Sequence, residues 1–506
     1  MAGSTNSSTS DDSTSNHSGT NGGSRGAANS GAMYSGAMYS GAANSGGTSG
    51  ERRGAARSSG PSYGSIIEAD PIAPPTLLTE ESYEWIDAEE IDIDRYVSQT
   101  YHDREATELW PKVWQMACRL ENLANVGDHI VYEVCDLSII VVRVSEAGTD
   151  GDAAAGIRAF HNSCLHRGTT LVEGSGNVAF FKCPFHGFAW SLDGSFRGMP
   201  APWDFPQVEA QEFCLPEAAV AVWGGFVMVN PDRSAEPFEQ FASPLADHFA
   251  PYPLDDRYIA YHACQVVDAN WKTTQEAFME GYHIATTHPH TVRFANDLDC
   301  AYDVYGPNVS RLIQALAVPA THLVDQVTQH EIASIVQRML PASDRIEVPE
   351  DVAARPWLAE RFRTSLGSQW RADLSAASEA EMLDSIQYFL FPNFFPWAGY
   401  AIPITYRFRP WEHDPNRSLM EIMLLHPIPS DGEWTTAEPH WLEPGETWCN
   451  APGFEQLGMV IDQDMANLPR IQRGLRAASH RHVTLSDYQE IRLRHFHARL
   501  DTYLPR

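Results

Sequence analysis

Two short loops, each offering one thiol and one imidazole, constrain this chain more than any other feature. The first is Cys164-Leu165-His166 and the second is Cys183-Pro184-Phe185-His186, with sixteen residues between His166 and Cys183. Glycines follow closely in both, Gly168 and Gly187, and glycine lets a backbone turn tightly around a bound centre. A lone Cys-x-His would mean little. Two loops of matched content confine this stretch to a small unit folded around a shared centre. Ligand chemistry leaves two choices open. One is a tetrahedral zinc site of two Cys and two His. The other is a [2Fe–2S] centre in which one iron takes both thiolates and the other both imidazoles, which raises its reduction potential above that of an all-cysteine cluster. The eight cysteines of the chain are otherwise spread thinly over 506 residues, unlike a disulfide framework.

The surroundings of the loops set the fold class. From 1 to 64 there is no Val, Leu, Ile, Phe or Trp, and Gly-Ala-Met-Tyr-Ser occurs twice, at 31–35 and 36–40. Such a stretch cannot bury enough apolar surface to offset the entropy of ordering, so it reads as a disordered low-complexity tail. Residues 65–124 read as an N-terminal segment, helical over 82–124 around Trp85, Ile91, Tyr96, Leu109 and Trp114. Short β-rich runs at 129–133, 138–144, 178–182 and 220–230 then mark a small all-β domain over 125–235. From 236 to 506 the pattern is mixed. Strand-like runs stand at 257–267, 386–392, 400–408 and 418–426, with helical stretches at 270–287, 305–380 and 484–502, so the class is α+β with an antiparallel sheet as the core of the second domain. A formal charge of −31 argues against a nucleic-acid partner. No run of 18 apolar residues and no secretory leader are present, so a soluble, cytoplasmic protein away from membranes is expected.

A second constellation lies downstream. Glu280 and His283 are three residues apart and share one helix face, while His288 stands just before Pro289, where a helix must end. Two imidazoles and a carboxylate can converge there, and the facial arrangement of two His and one carboxylate leaves open positions on Fe(II) for O₂. The third ligand is expected far along the chain, at Asp464, with Asp462 as its neighbour and competitor. Arg492, Arg494, His495 and His497 in the terminal helix read as a solvated basic face.

Taken together, Asn162-Ser163-Cys164-Leu165-His166-Arg167-Gly168, Cys183-Pro184-Phe185-His186-Gly187-Phe188-Ala189-Trp190 and Asn270-Trp271-Lys272 through Glu280-Gly281-Tyr282-His283 and His288 resemble the α subunits of Rieske non-haem iron ring-hydroxylating oxygenases. The resemblance spans about 82–502 and departs at Ala277, where Asn is frequent, and at Glu280, where Asp is frequent. It implies a Rieske [2Fe–2S] cluster held by Cys164, His166, Cys183 and His186, and a helix-grip (START-like) catalytic domain. It also implies a mononuclear Fe(II) held by His283, His288 and Asp464. Glu280 would bridge His283 to His186 of a neighbouring subunit, so that a homotrimer is required, with or without a β subunit. The pocket implied over the aromatic run 388–397 includes Phe394 and Trp397, with Phe278 facing it. The implied reaction is hydroxylation or cis-dihydroxylation of an apolar aromatic or polycyclic substrate with O₂. Its electrons originate in NAD(P)H and arrive through a ferredoxin or reductase, since no dinucleotide fingerprint or plant-type cysteine run occurs here. A Rieske monooxygenase or demethylase, an electron carrier without oxygenase activity, and a zinc-stabilised interaction protein are the competing readings.

Overall fold

The computed structural model describes residues 62–86, 90–146, 154, 156–400, 402–429 and 433–505. The expected tail falls outside this range except at its end, where the helix Tyr63–Ile67 already begins. Ser62 caps it by accepting from Ser65 N–H, and Tyr63 is buried with its hydroxyl on Asp384 at 3.3 Å.

Two sheets carry the fold. The smaller has seven strands in the order Gln115–Arg119, Phe226–Asn230, Glu217–Trp223, Ile157–His161, Leu137–Arg143, Asp128–Val134, Ser175–Asn177. Its edge strand Gln115–Arg119 was expected to be helical and outside the β domain. The sequence Gln-Met-Ala-Cys-Arg pairs instead with Phe226–Asn230, because its apolar side chains complete the buried face of that sheet. A separate three-stranded sheet, Phe181–Lys182, Ala189–Trp190 and Phe196–Gly198, supports the second Cys-His loop.

The larger sheet runs Ala301–Tyr305, Val309–Gln314, Ser385–Leu390, Phe394–Ala398, Ile404–Trp411, Asp414–Pro427, Arg257–Val267, His440–Leu442. Every neighbouring pair is antiparallel except the last, which is parallel. The run at 257–267 is the strand Arg257–Val267, as its apolar alternation predicts. The helical reading of 305–380 holds for Gln329–Val336 and Ala354–Trp370, but residues Val309–Gln314 form a strand whose Leu312 and Ile313 pair with Gln387 and Ile386. Only tertiary pairing separates that run from a short helix.

The helices Trp271–Glu276, Ile284–Thr287, Leu457–Ala477 and Ile491–Tyr503 accompany the larger sheet. The last helix corrects a sequence expectation. Arg492, Arg494, His495 and His497 are all buried. Arg492 donates to Ser310 Oγ, Met279 O and Gln387 Oε1 at 2.8 to 3.1 Å, so its charge is spent inside on fixed acceptors. A continuous apolar core joins the sheets. Phe226 meets Phe394 edge-on at 4.9 Å, and Arg119 donates to the carbonyls of Leu254 and Arg257. No helix of the described residues is long and apolar enough to cross a membrane.

Candidate metal centres and active site

The two Cys-His loops close by the same hydrogen bonds. Gly168 N–H donates to Cys164 O at 2.8 Å and Cys164 N–H to Thr169 O at 2.9 Å. In the second loop Gly187 N–H donates to Cys183 O at 3.0 Å and Cys183 N–H to Phe188 O at 2.8 Å. Both glycines lie in the left-handed region, at φ +78° and +77°, which is why glycine stands there. The loops bring like groups together. The His166 and His186 rings are 4.6 Å apart, His166 stacks on Phe188, and His166 Nδ1 is buried with no hydrogen-bond partner among the described residues. A buried ring nitrogen without a partner suits a metal ligand. The two thiols face each other. Burial, the largest single influence, pushes both up, yet the N–H groups of His186 and Phe185 hold the Cys183 thiol below its ordinary value. Two thiolates on one side and two imidazoles on the other fit a [2Fe–2S] centre.

The second site is assembled from three helical segments. Asn270 caps Trp271–Glu276 by accepting from Lys272 N–H, and the chain turns through 277–283 before Ile284–Thr287. His283 and His288 therefore flank that one-turn helix. Asp464 sits in the middle of Leu457–Ala477. His283 Nε2 and His288 Nε2 are 3.2 Å apart, and Asp464 Oδ1 lies 3.5 Å and 3.1 Å from them. The opposite ring nitrogens are engaged: His283 Nδ1 with Glu280 Oε1 at 2.7 Å, and His288 Nδ1 with Gln463 Oε1 at 2.8 Å. An acceptor oxygen on each Nδ1 puts the ring proton there, so both Nε2 lone pairs and a carboxylate oxygen converge on one point. With both rings neutral, three acceptors face one point, which a cation or a proton must fill. Burial, the largest single influence, lowers the His283 pKa, but its hydrogen bonds to the Asp464 and Glu280 carboxylates outweigh it and lift it to about 10, so that without a metal a proton occupies the place a cation would take. Asp464 is held below the usual carboxylate range by the two histidines, although burial alone would raise it. The donor set of two imidazoles and one carboxylate fits iron.

Asp462 does not join them. It accepts from the backbone N–H groups of Trp448, at 2.7 Å, and Cys449. Two residues apart on a helix, Asp462 and Asp464 point in divergent directions. A further trio, His262, Cys264 and Glu421, comes within ligand distance. There Arg407 grips Glu421 with two 2.7 Å bonds and Arg409 adds a third contact at 3.0 Å, so two guanidinium charges oppose any metal ion.

Of the expected pocket residues, Phe278 and Trp397 come together and Phe394 does not. Phe278 packs 5.2 Å from Tyr406 and 5.3 Å from Phe408, Trp397 lies 5.8 Å from Tyr406, and Phe395 lies 5.3 Å from Phe408. Phe394 points to the opposite face, against Phe226. Strand alternation was the available signal, because residues three apart cannot share a face, whereas Phe395 and Trp397 do. Tyr406 ties this wall to the metal site, since burial and then the Asp464 charge raise its phenol pKa. An open cleft of about 420 Å³ is lined by Tyr96, Glu276, Glu280, His283, Asp464 and Glu490, among others.

The family model described as ring hydroxylating alpha subunit (catalytic domain) matches residues 249–506, half of the chain. The chain belongs to this family. A Rieske [2Fe-2S] domain model matches 113–209, which includes both Cys-His loops and the edge strand Gln115–Arg119. The chain thus carries a Rieske [2Fe–2S] domain and the catalytic domain of the mononuclear iron oxygenases, and its two donor sets fit those cofactors. Among relatives, the chloroplastic choline monooxygenase of Beta vulgaris is 25% identical over 246 residues, 47% of this chain and 50% of its own length. The glycine betaine monooxygenase oxygenase subunit of Chromohalobacter salexigens is 31% identical over 198 residues, 38% of this chain and 42% of its own. The carnitine monooxygenase oxygenase subunit of Escherichia coli is 28% identical over 197 residues, 38% of this chain and 50% of its own. The chain therefore spans about half the length of the curated relatives it matches. Among solved structures, a quaternary ammonium Rieske monooxygenase in complex with L-carnitine superposes with a TM-score of 0.55 at 16% identity, over 82% of this chain and 95% of the other. A naphthalene 1,2-dioxygenase from Rhodococcus sp. bound to indole gives 0.51 at 18%, over 82% and 94%. These two share the fold of this chain.

Proposed function

We propose that this oxygenase hydroxylates a carbon of a methylated ammonium compound. In this reading Cys164, His166, Cys183 and His186 hold the Rieske cluster, and His283, His288 and Asp464 hold the mononuclear iron. The observation that carries it is the convergence of two Nε2 lone pairs and one carboxylate oxygen at a single buried point. When bound, the iron supplies O₂ reduction and the cluster supplies electrons one at a time.

The residues of the chain do the rest. Glu280 accepts from His283 at both Nδ1 and backbone N–H, which fixes the ring while leaving Glu280 on the lining of the open cleft. Glu280 and Glu490 line the cleft beside Asp464, together with Arg470. The second Cys-His loop exposes Phe185 with Arg167 lying over it, and Trp203 is exposed further along the same domain. We infer that the loop end of one subunit docks in the cleft of another, so that Glu280 links His283 to the neighbour's His186 within a homotrimer. A ferredoxin or reductase drawing on NAD(P)H would deliver the electrons.

The substrate assignment replaces the apolar ring expected from sequence. Choline, glycine betaine and carnitine monooxygenases are the named relatives, and an aromatic wall attracts a quaternary ammonium group through its ring quadrupoles. Such a substrate has no ring to dihydroxylate, so the reaction is monooxygenation: one oxygen atom enters a C–H bond and the other leaves as water, with two electrons and two protons consumed. If the carbon is an N-methyl, the carbinol releases formaldehyde and the tertiary amine. The test is a single turnover of chemically reduced holoenzyme with O₂ and choline, glycine betaine, carnitine or naphthalene, which needs no partner protein. One aldehyde or hydroxylated product per reduced active site from an ammonium substrate supports the assignment. A naphthalene diol with no ammonium product overturns it.

A further inference from the structure

The two histidines of the triad are held by different chemistries, and nothing in the proposed electron path uses the second. His283 Nδ1 faces a carboxylate, Glu280, whereas His288 Nδ1 faces a neutral amide, Gln463, at 2.8 Å. Gln463 is the residue next to Asp464 on the helix Leu457–Ala477. Consecutive residues of that helix therefore grip opposite edges of one ring: Asp464 lies 3.1 Å from Nε2 while Gln463 takes Nδ1. The backbone of His288 is fixed independently, its N–H on Ile284 O at 2.8 Å and its carbonyl accepting from both Thr291 N–H and Thr291 Oγ at 2.9 Å. With the backbone anchored there, the remaining freedom of the buried ring is rotation and tautomer, and Gln463 restricts both.

We propose that Gln463 is a positioning residue that selects the Nδ1–H tautomer of His288 and aims its Nε2 at the metal without adding charge. This rests on the reading that His283, His288 and Asp464 hold the iron. The orientation of the amide is decisive. With its NH₂ toward Nδ1, the ring proton would move to Nε2 and point at Asp464, leaving the triad one donor short. The neutral partner also sets a division of labour. Glu280 makes His283 the more basic ligand, while Gln463 keeps the negative charge around the iron to one ligating carboxylate and one bridging carboxylate.

The experiment measures Fe(II) retention by holoenzyme during stepwise competition with a chelator, the Rieske absorption of the same sample reporting the intact fold. Wild-type protein must first hold the third iron; if it holds none, the triad reading itself fails. Gln463→Leu should release its iron at a chelator concentration about 10- to 100-fold lower than wild type. Gln463→Glu, which restores an acceptor on Nδ1, should retain iron at least as well as wild type. Equal retention by Gln463→Leu and wild type overturns the proposal, as does a Gln463→Glu variant no better than Gln463→Leu. If Gln463→Leu loses its Rieske absorption, Gln463→Glu against Gln463→Met decides by the same ordering.

Discussion

The two candidate metal sites of this chain are built in opposite ways. The cluster loops lie within a single stretch, Cys164 to His186, and each closes on itself through hydrogen bonds four or five residues apart. The candidate iron triad joins His283 and His288 to Asp464, which is 176 residues beyond His288 in the chain, and only the packing of Leu457–Ala477 brings it there. A local site is written in spacing; a distant one is written in packing. The cluster loops should therefore tolerate damage to the larger sheet, whereas the triad should be sensitive to residues that never touch iron.

The sharpest way to break this contrast is to remove each metal separately. Asp464→Ala should abolish product formation and lose the mononuclear iron while keeping the Rieske EPR signal, and Cys183→Ala should lose the cluster yet keep the mononuclear iron. Joint loss of both metals in either variant would mean that the regions fold as one unit. Next in size, Glu280→Gln should keep both metals and lower coupled turnover by about 100-fold, in line with the cost of removing a carboxylate behind a ligating histidine. Unchanged turnover would sink the bridge. Paired substitutions on adjacent residues of one strand then separate packing from recognition. Phe394→Ala, facing Phe226, should cost about 3–5 kcal/mol in urea unfolding with KM unchanged. Phe395→Ala, on the other face, should raise KM for an ammonium substrate about fivefold, as expected for one lost cation–π contact.

The smallest effect concerns pH. Glu276 is half-buried at the edge of the cleft, accepts from Tyr96 at 3.1 Å and lies 2.8 Å from His497 Nε2; desolvation, before any other cause, lifts its pKa from 4.5 to about 8. The folded state thus holds a proton that the unfolded chain releases near pH 4.5. The associated stability is complete below pH 4.5 and is lost as the pH rises to about 8. Glu276→Gln should flatten the fall of the urea midpoint between pH 5 and pH 8, and an unaltered slope would count against a protonated Glu276.

The sequence carried much of this, and the misses share one cause. The two Cys-His loops and the pair His283 and His288 could be read because their spacing is local; Asp464 came only from the resemblance, and packing brings it within 3.5 Å of both imidazoles. The strand Arg257–Val267 was legible because its side chains alternate cleanly. Phe394 was misplaced because a run of adjacent aromatics hides which face is which until a neighbouring strand fixes register. The basic residues of Ile491–Tyr503 were read as solvated because nothing in their own helix announces the Ser310, Met279 and Gln387 acceptors that bury Arg492. Gln463 gave no signal at all, since its role exists only once His288 lies against its helix.

If the proposed sites are right, one chain holds both a two-iron cluster and a separate iron at His283, His288 and Asp464. Iron and acid-labile sulfide assayed on one anaerobic sample, with EPR before and after dithionite, test it most directly. A Rieske-type signal with about three iron and two sulfide per chain is expected, falling to about two iron and two sulfide in His288→Ala. Two iron per chain in the wild type, or three in His288→Ala, would contradict it.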